Sequence, residues 1–143
     1  MKTKIIITGH GHYASGIETS LNMLAGTNED VNFVDFLEED SDTSLKEKIM
    51  KLLNQDSEFL LVCDIVGGTP FNVCSVIANN FDNMEAVGGC NVMAILEAVF
   101  QKDNMTLSEL ADFIVDTTKQ GVSKFQKIDP GKKIINAETE DGI

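Results

Sequence analysis

The chain alternates between short apolar runs and longer segments in which apolar residues recur at helical spacing. The densest runs, KIIIT and FLLVC, are typical of strands that are buried on both faces. The predicted strands cover residues 4–8, 31–36, 59–63 and 84–89, and the predicted helices cover about 13–24, 44–53, 70–78, 92–100 and 106–124. Strands that alternate with helices predict an α/β fold with three layers, in which helices cover both faces of a mostly parallel central sheet.

Three of the helix starts carry recognisable capping signals. SLKE at 44–47 and TLSE at 106–109 fit the capping box, in which the first side chain accepts from the backbone N–H three residues later. Thr69 is expected to be the N-cap of the third helix, because Pro70 directly after it suits the first helical position.

The length of 143 residues suits one domain with a full core, which we assign to residues 1–135. A short apolar run, KKIIN, is expected to form one more strand, and the acidic tail at 136–143 is expected to be disordered. No apolar run approaches the roughly 20 residues that a membrane span needs, so no direct membrane insertion is expected.

Charge and cysteine content narrow the functional classes. A net charge of −12 argues against nucleic acid and anionic membrane surfaces as partners. The three cysteines, Cys63, Cys74 and Cys90, are odd in number and lack CxxC spacing, which excludes a full disulfide framework. The sequence therefore predicts a protein of a reducing compartment, the cytoplasm.

The carboxyl ends of the first and third predicted strands hold the candidate chemistry. Ligands of doubly wound sheets bind outside these ends, which selects the loop that carries His10 and the loop that carries Asp64. A carboxylate that accepts from one imidazole nitrogen fixes the tautomer and turns the other nitrogen outward as a nucleophile. Asp64 is therefore expected to orient His10.

The loop DIVGGTP predicts an anion-binding nest at the start of a helix. Gly67 and Gly68 permit a tight turn with uncovered N–H groups, and Thr69 adds a hydroxyl. Such a nest would hold phosphoryl oxygens, and positioning with electrostatics supplies most of the catalysis in phosphoryl transfer. Together the two loops predict that His10 is a covalent phosphoryl carrier.

The glycines around His10 leave a second hypothesis open. Gly9, Gly11 and Ala14 match the G-x-G-x-x-A turn of dinucleotide-binding domains, and Asp35 follows at the distance of a ribose-binding acid. Against this hypothesis, the imidazole of His10 would occupy the space of the pyrophosphate, and the DIVGGTP loop would have no role. A nucleotide-binding module should tolerate His10→Ala, whereas a phosphocarrier should not.

A metal site formed by His10, His12 and Asp64 is a third hypothesis. These are the only two histidines of the chain, and no further acidic pair is well placed beside them, so no metal or other cofactor is expected. His12 is expected to be a rim residue. The sequence has no GxxxxGK[ST] motif, which excludes a P-loop.

The segments IIITGHGHYASG and VCDIVGGTPFN resemble the enzyme IIA domains of the mannose-type (mannose/fructose/sorbose) family of the bacterial phosphoenolpyruvate-dependent sugar phosphotransferase system. The resemblance implies that His10 accepts a phosphoryl group from the carrier protein HPr. It also implies that a IIB domain receives this group and phosphorylates sugar at a membrane permease. Asp64 would orient His10, and Gly67, Gly68 and Thr69 would lie around the phosphoryl group.

The resemblance extends over about residues 1–125 and also implies a homodimer. In that dimer a C-terminal strand, expected within GKKIIN, would cross to the partner's sheet as an antiparallel edge. The chain ends without a IIB domain, so we expect a free-standing IIA protein. The resemblance further implies that the IIB domain and the permease, and not this chain, determine which sugar is transported.

Overall fold

The structure, a computed structural model, describes residues 1–131. Within this range the chain forms four strands and five helices. The strands are β1 (Lys2–His10), β2 (Val31–Phe36), β3 (Ser57–Cys63) and β4 (Met84–Gly88). The helices are α1 (Tyr13–Ala25), α2 (Asp42–Met50), α3 (Thr69–Asn80), α4 (Val92–Gln101) and α5 (Leu107–Gln120).

The strands form one parallel sheet in the order β2-β1-β3-β4. The central strands β1 and β3 pair from Lys2 with Ser57 to Thr8 with Cys63. After β1 the chain places β2 on one side of it, and after β2 it crosses back to place β3 on the other side of β1. The direction in which strands are added therefore reverses between β1 and β3. At such a switch point a crevice opens at the carboxyl ends of the strands.

Helices cover both faces of the sheet. Ile5 and Ile7 of β1 pack with α1, α4 and α5 on one face. Ile6 of β1 and Leu61 of β3 pack with α2 and α3 on the other face. These strand residues are fully buried, which explains why the central strands are unbroken apolar runs in the sequence. The prediction of a three-layer α/β fold with a parallel sheet is confirmed.

The predicted start of α2 at Ser44 is wrong. The N-cap is Ser41, whose hydroxyl accepts from the Ser44 N–H at 3.1 Å while the Ser44 hydroxyl accepts from the Ser41 N–H at 2.8 Å. Ser44 thus takes the third position of a capping box that begins three residues earlier than expected. The sequence offers two serines three residues apart, and the earlier one gives a helix that brings Leu45 and Ile49 into the core.

The predicted capping box of the last helix is confirmed, because the Thr106 hydroxyl accepts from the Glu109 N–H and the Glu109 carboxylate from the Thr106 N–H. The helix ends at Gln120, four residues before its predicted end at Lys124. Gly121 closes it by donating its N–H to the Thr117 carbonyl at 3.0 Å.

The predicted strand KKIIN and the acidic tail lie outside the described residues. Residues 122–129, which precede them, have no regular secondary structure. Among residues 1–131, no helix is both long enough and apolar enough to span a membrane.

Candidate active site

His10 and Asp64 meet at the switch point of the sheet. His10 is the last residue of β1, and Asp64 directly follows β3 on the neighbouring strand. Asp64 Oδ2 accepts from the His10 backbone N–H at 2.9 Å and lies 2.6 Å from Nδ1 of the His10 ring. Since the carboxylate can only accept, it holds the proton on Nδ1 and leaves Nε2 as the free nitrogen.

The two side chains differ in exposure. The His10 side chain is 46% exposed, whereas the Asp64 side chain is 12% exposed. Burial by itself would raise the pKa of Asp64, but hydrogen bonds from the backbone and ring of His10 and from the Ile65 N–H outweigh it and lower the pKa below its ordinary value. The arrangement therefore presents an accessible imidazole that is backed by an ionised carboxylate.

The loop that follows β3 folds over the His10 ring. Gly67 has φ +87°, a left-handed conformation that favours glycine. Gly68 lies so close to the ring that a Cβ at this position would be 2.8 Å from His10 Cε1. Sequence reasoning expected glycines here for their uncovered N–H groups, and the structure adds a close approach to His10 as a second reason for Gly68.

Thr69 is not the N-cap of α3, contrary to the prediction. Gly68 is the N-cap, Thr69 is the first helical residue and Pro70 follows it. The first helical hydrogen bond joins the Asn72 N–H to the Gly68 carbonyl at 2.9 Å, so the N–H groups of Thr69 and Phe71 have no intrahelical acceptor. The N-terminus of α3 therefore faces the loop around His10 with free donors, as an anion site requires.

Gly9 is explained by packing between β1, α1 and Asp64. A Cβ at residue 9 would lie 2.4 Å from the Tyr13 ring and 2.9 Å from the Asp64 Cβ. Phe36, at the end of β2, lies edge-on to the His10 ring with 5.7 Å between centroids. Sequence reasoning missed Phe36, because the strand order that brings it beside His10 is not readable from the apolar pattern.

His12 and Asp35 form a second, separate cluster with Ser15. Asp35 accepts from the Ser15 N–H at 2.9 Å and from the Ser15 hydroxyl at 2.7 Å, and His12 Nδ1 lies 3.2 Å from its second oxygen. The acid expected to bind a ribose is thus already engaged by the protein. The structure and the family comparisons below do not favour the dinucleotide hypothesis.

The two histidines do not share a carboxylate, so His10, His12 and Asp64 are not gathered into one set of ligands. In the part of the chain that the structure describes, no group of three or more His, Cys, Asp or Glu side chains is arranged to hold a metal ion.

Comparison with known proteins relates this chain to a family. Residues 4–115 match the EIIA-man family model, described as the PTS system fructose IIA component. A crystal structure of phosphotransferase system component EIIA from Streptococcus agalactiae is similar with a TM-score of 0.81 and 28% identity, covering 85% of this chain and 96% of that one.

Two curated proteins illustrate the likeness in sequence. The mannose-specific EIIAB component of Escherichia coli (strain K12) is 30% identical over 137 residues, covering 93% of this chain but 42% of that protein, so the chain spans less than half of this relative. The fructose-specific EIIA component of Bacillus subtilis (strain 168) is 26% identical over 119 residues, covering 81% of this chain and 82% of that protein. This chain belongs to the EIIA-man family of phosphotransferase-system IIA components.

Proposed function

We propose that this chain is a cytoplasmic phosphocarrier that accepts a phosphoryl group from phospho-HPr on His10 and passes it to a IIB domain. One observation carries the proposal: the 2.6 Å contact between His10 Nδ1 and Asp64 Oδ2, which leaves Nε2 of an exposed ring as the free nucleophile. Membership of a family of phosphotransferase-system IIA components supports the same role.

The transfer forms one bond to phosphorus and breaks another. The lone pair of His10 Nε2 attacks the phosphorus, and the bond between phosphorus and the donor breaks with its electron pair leaving on the donor. His10 becomes a phosphorylated imidazolium whose Nδ1–H stays bonded to Asp64, so that the carboxylate stabilises the new positive charge. Transfer to a IIB domain repeats the step with a IIB nucleophile as the acceptor.

The phosphoryl oxygens bind at the loop above the His10 ring. Gly67, Gly68 and Thr69 supply N–H groups and a hydroxyl at the N-terminus of α3, where the helix dipole favours negative charge. A Cβ on residue 68 would lie 2.8 Å from His10 Cε1, so a group bonded to the His10 ring lies near this backbone. The charge that develops in the transition state is then met by donors that need no rearrangement.

The proposed functional unit is a homodimer. Val122, Phe125 and Ile128 are exposed apolar side chains in a segment without regular structure. In the described sheet β4 is an edge strand that pairs on one side with β3. A second copy that pairs with this edge would cover its unpaired backbone groups.

The proposal is tested by intact mass at mildly alkaline pH, where phosphohistidine survives. The protein is incubated with phosphoenolpyruvate, enzyme I and HPr, and a IIB domain is then added. We expect one added phosphoryl group that is acid-labile and is lost to IIB. His10→Ala should gain none, whereas His12→Ala, the matched control at the other histidine, should gain one. No added mass on the wild type, with HPr itself phosphorylated, would reject the proposal.

Asp64→Asn tests the orienting role. The amide keeps the shape of the side chain but removes the charge that stabilises the imidazolium, so we expect transfer to His10 to slow by about a hundredfold. The site of phosphorylation should remain His10. Transfer at the wild-type rate would show that the charge of Asp64 does not contribute.

A further inference from the structure

The helix that follows His10 has no N-cap side chain of its own. His12 occupies the N-cap position of α1 but makes no side-chain capping hydrogen bond, and the first turn has no acidic residue. The first N–H groups of a helix need acceptors from outside the helix. In α1 an acceptor comes from another part of the fold.

Asp35 of β2 supplies this acceptor. One carboxylate oxygen accepts from the backbone N–H of Ser15, the third residue of α1, at 2.9 Å, and the other accepts from the Ser15 hydroxyl at 2.7 Å. The third N–H is the one that an N-cap side chain ordinarily satisfies. A negative charge at this end of the helix is also favoured by the helix dipole.

His12 adds little to this arrangement. Its Nδ1 lies 3.2 Å from the Asp35 oxygen that also binds the Ser15 hydroxyl, and its side chain is 83% exposed. Ion pairs at such exposed positions contribute little. The bonds to Ser15, which are shorter and partly buried, are therefore the ones that hold the start of α1 to β2.

The position of Asp35 in the sheet connects it to His10. Asp35 pairs with Gly9 in the parallel ladder of β1 and β2, and the next pair joins His10 and Phe36. The Gly11 N–H donates to the Phe36 carbonyl at 2.7 Å. The short link from His10 into α1 is thus hydrogen-bonded to β2, while His10 itself is hydrogen-bonded to Asp64, the residue that follows β3.

We propose that Asp35 is a positioning residue for His10: it caps α1 from the neighbouring strand and holds the β1–α1 link on the side opposite Asp64. This inference rests on the proposed function, because it assigns Asp35 to the same phosphoryl transfer. Without Asp35 the first turn of α1 loosens, and the link that follows His10 keeps only the Gly11–Phe36 hydrogen bond to β2. Phosphorylation then still occurs on His10, at a rate lower by about tenfold.

The test measures the initial rate of His10 phosphorylation in Asp35→Ala and Asp35→Asn. Two donors are used: phospho-HPr, and potassium phosphoramidate as a small donor that needs no protein partner. We expect Asp35→Ala to be about tenfold slower with both donors. Asp35→Asn keeps an oxygen acceptor for the Ser15 N–H and should recover to within about threefold of the wild type.

Amide hydrogen exchange supplies the structural readout. The Ser15 amide should exchange at least about tenfold faster in Asp35→Ala than in the wild type and should stay protected in Asp35→Asn. Thr106→Ala is the matched control, because it removes the cap of α5, which begins beyond the opposite, amino-terminal edge of the sheet. It should lower stability without changing the rate at His10.

The outcomes separate this inference from the proposed function. If the wild type reacts with phosphoramidate but not with phospho-HPr, the proposed transfer from HPr is rejected. The phosphoramidate rates of the Asp35 variants still decide whether Asp35 positions His10. Wild-type rates in folded Asp35→Ala would overturn the inference. So would an Asp35→Asn rate no better than that of Asp35→Ala, or a Ser15 amide that stays protected in Asp35→Ala.

Discussion

Replacing Gly68 with alanine is expected to slow phosphoryl transfer without unfolding the protein. A Cβ at residue 68 would lie 2.8 Å from His10 Cε1 and 3.1 Å from Ile65 Cγ1. Ordinary contact begins near 3.4 Å, so the His10 ring has to retreat by the difference from 2.8 Å, about 0.6 Å. Gly68 has φ −79°, which alanine adopts freely, so the displacement falls on the His10 ring and not on the backbone of residue 68.

A retreat of this size displaces the His10 ring relative to Asp64. The Nδ1–Oδ2 distance is 2.6 Å, so a shift of about 0.6 Å lengthens it to at most about 3.2 Å, which lies beyond the range of charge-assisted hydrogen bonds. Misplacing a reacting group by about 1 Å can lower a rate by about a hundredfold. For the smaller shift at His10 we expect a loss of about tenfold in the rate of phosphorylation.

The assay follows intact mass over time after mixing with excess phospho-HPr, with thermal unfolding measured in parallel. Gly16→Ala is the matched control, because Gly16 lies in α1 and a Cβ there meets nothing within 4 Å. It should keep the wild-type rate and gain about 0.5–1 kcal/mol of stability from helix propensity. Gly68→Ala that reacts at the wild-type rate would refute the steric explanation.

Three further predictions concern stability. Lys102→Met removes the buried partner of Asp30, whose carboxylate lies 3.1 Å from Lys102 Nζ, but leaves the pair between Asp30 and Lys2 at 3.0 Å. The free energy of unfolding should therefore fall by about 2 kcal/mol in urea titrations, and a loss below about 1 kcal/mol would contradict this. The Lys48 ammonium, with backbone and hydroxyl donors, lowers the pKa of Asp40 from 3.8 to about 2. Asp40 therefore stabilises the fold above about pH 4, and this contribution is lost as the pH falls towards 2. Lys48→Met should make the free energy of unfolding depend less on pH in this range. An unchanged pH dependence in Lys48→Met would exclude the Lys48–Asp40 pair as its source. Thr106→Ala should cost about 1 kcal/mol in thermal unfolding, whereas Thr106→Ser should cost much less.

The strands and the contact at the switch point could be predicted from the sequence because each depends on a local signal. Strands buried on both faces must be apolar throughout, which makes β1 and β3 visible. His10 and Asp64 follow these two strands directly, and parallel strands bring such positions to one edge of the sheet. The contact between these two residues could therefore be predicted without knowing their side-chain conformations.

The remaining features depend on tertiary contacts that one sequence does not reveal. Ser41 and Ser44 both suit a helix start, and which one caps α2 follows from the side that packs on the sheet. Asp35 has the spacing of a ribose-binding acid, yet it binds Ser15 because β2 lies directly beside β1. Gly68 is the N-cap of α3 in place of Thr69, at a position where a side chain would collide with His10.

The register of β1 against β3 has a consequence for the energetics of the proposed phosphoryl transfer. His10 and Asp64 are joined to adjacent strands whose central residues are fully buried, so their relative position is set when the sheet forms. The conformational entropy of aligning them is lost once, during folding, and not again at every encounter with a partner. A phosphocarrier of the proposed kind can therefore start each cycle with its reacting atoms already aligned.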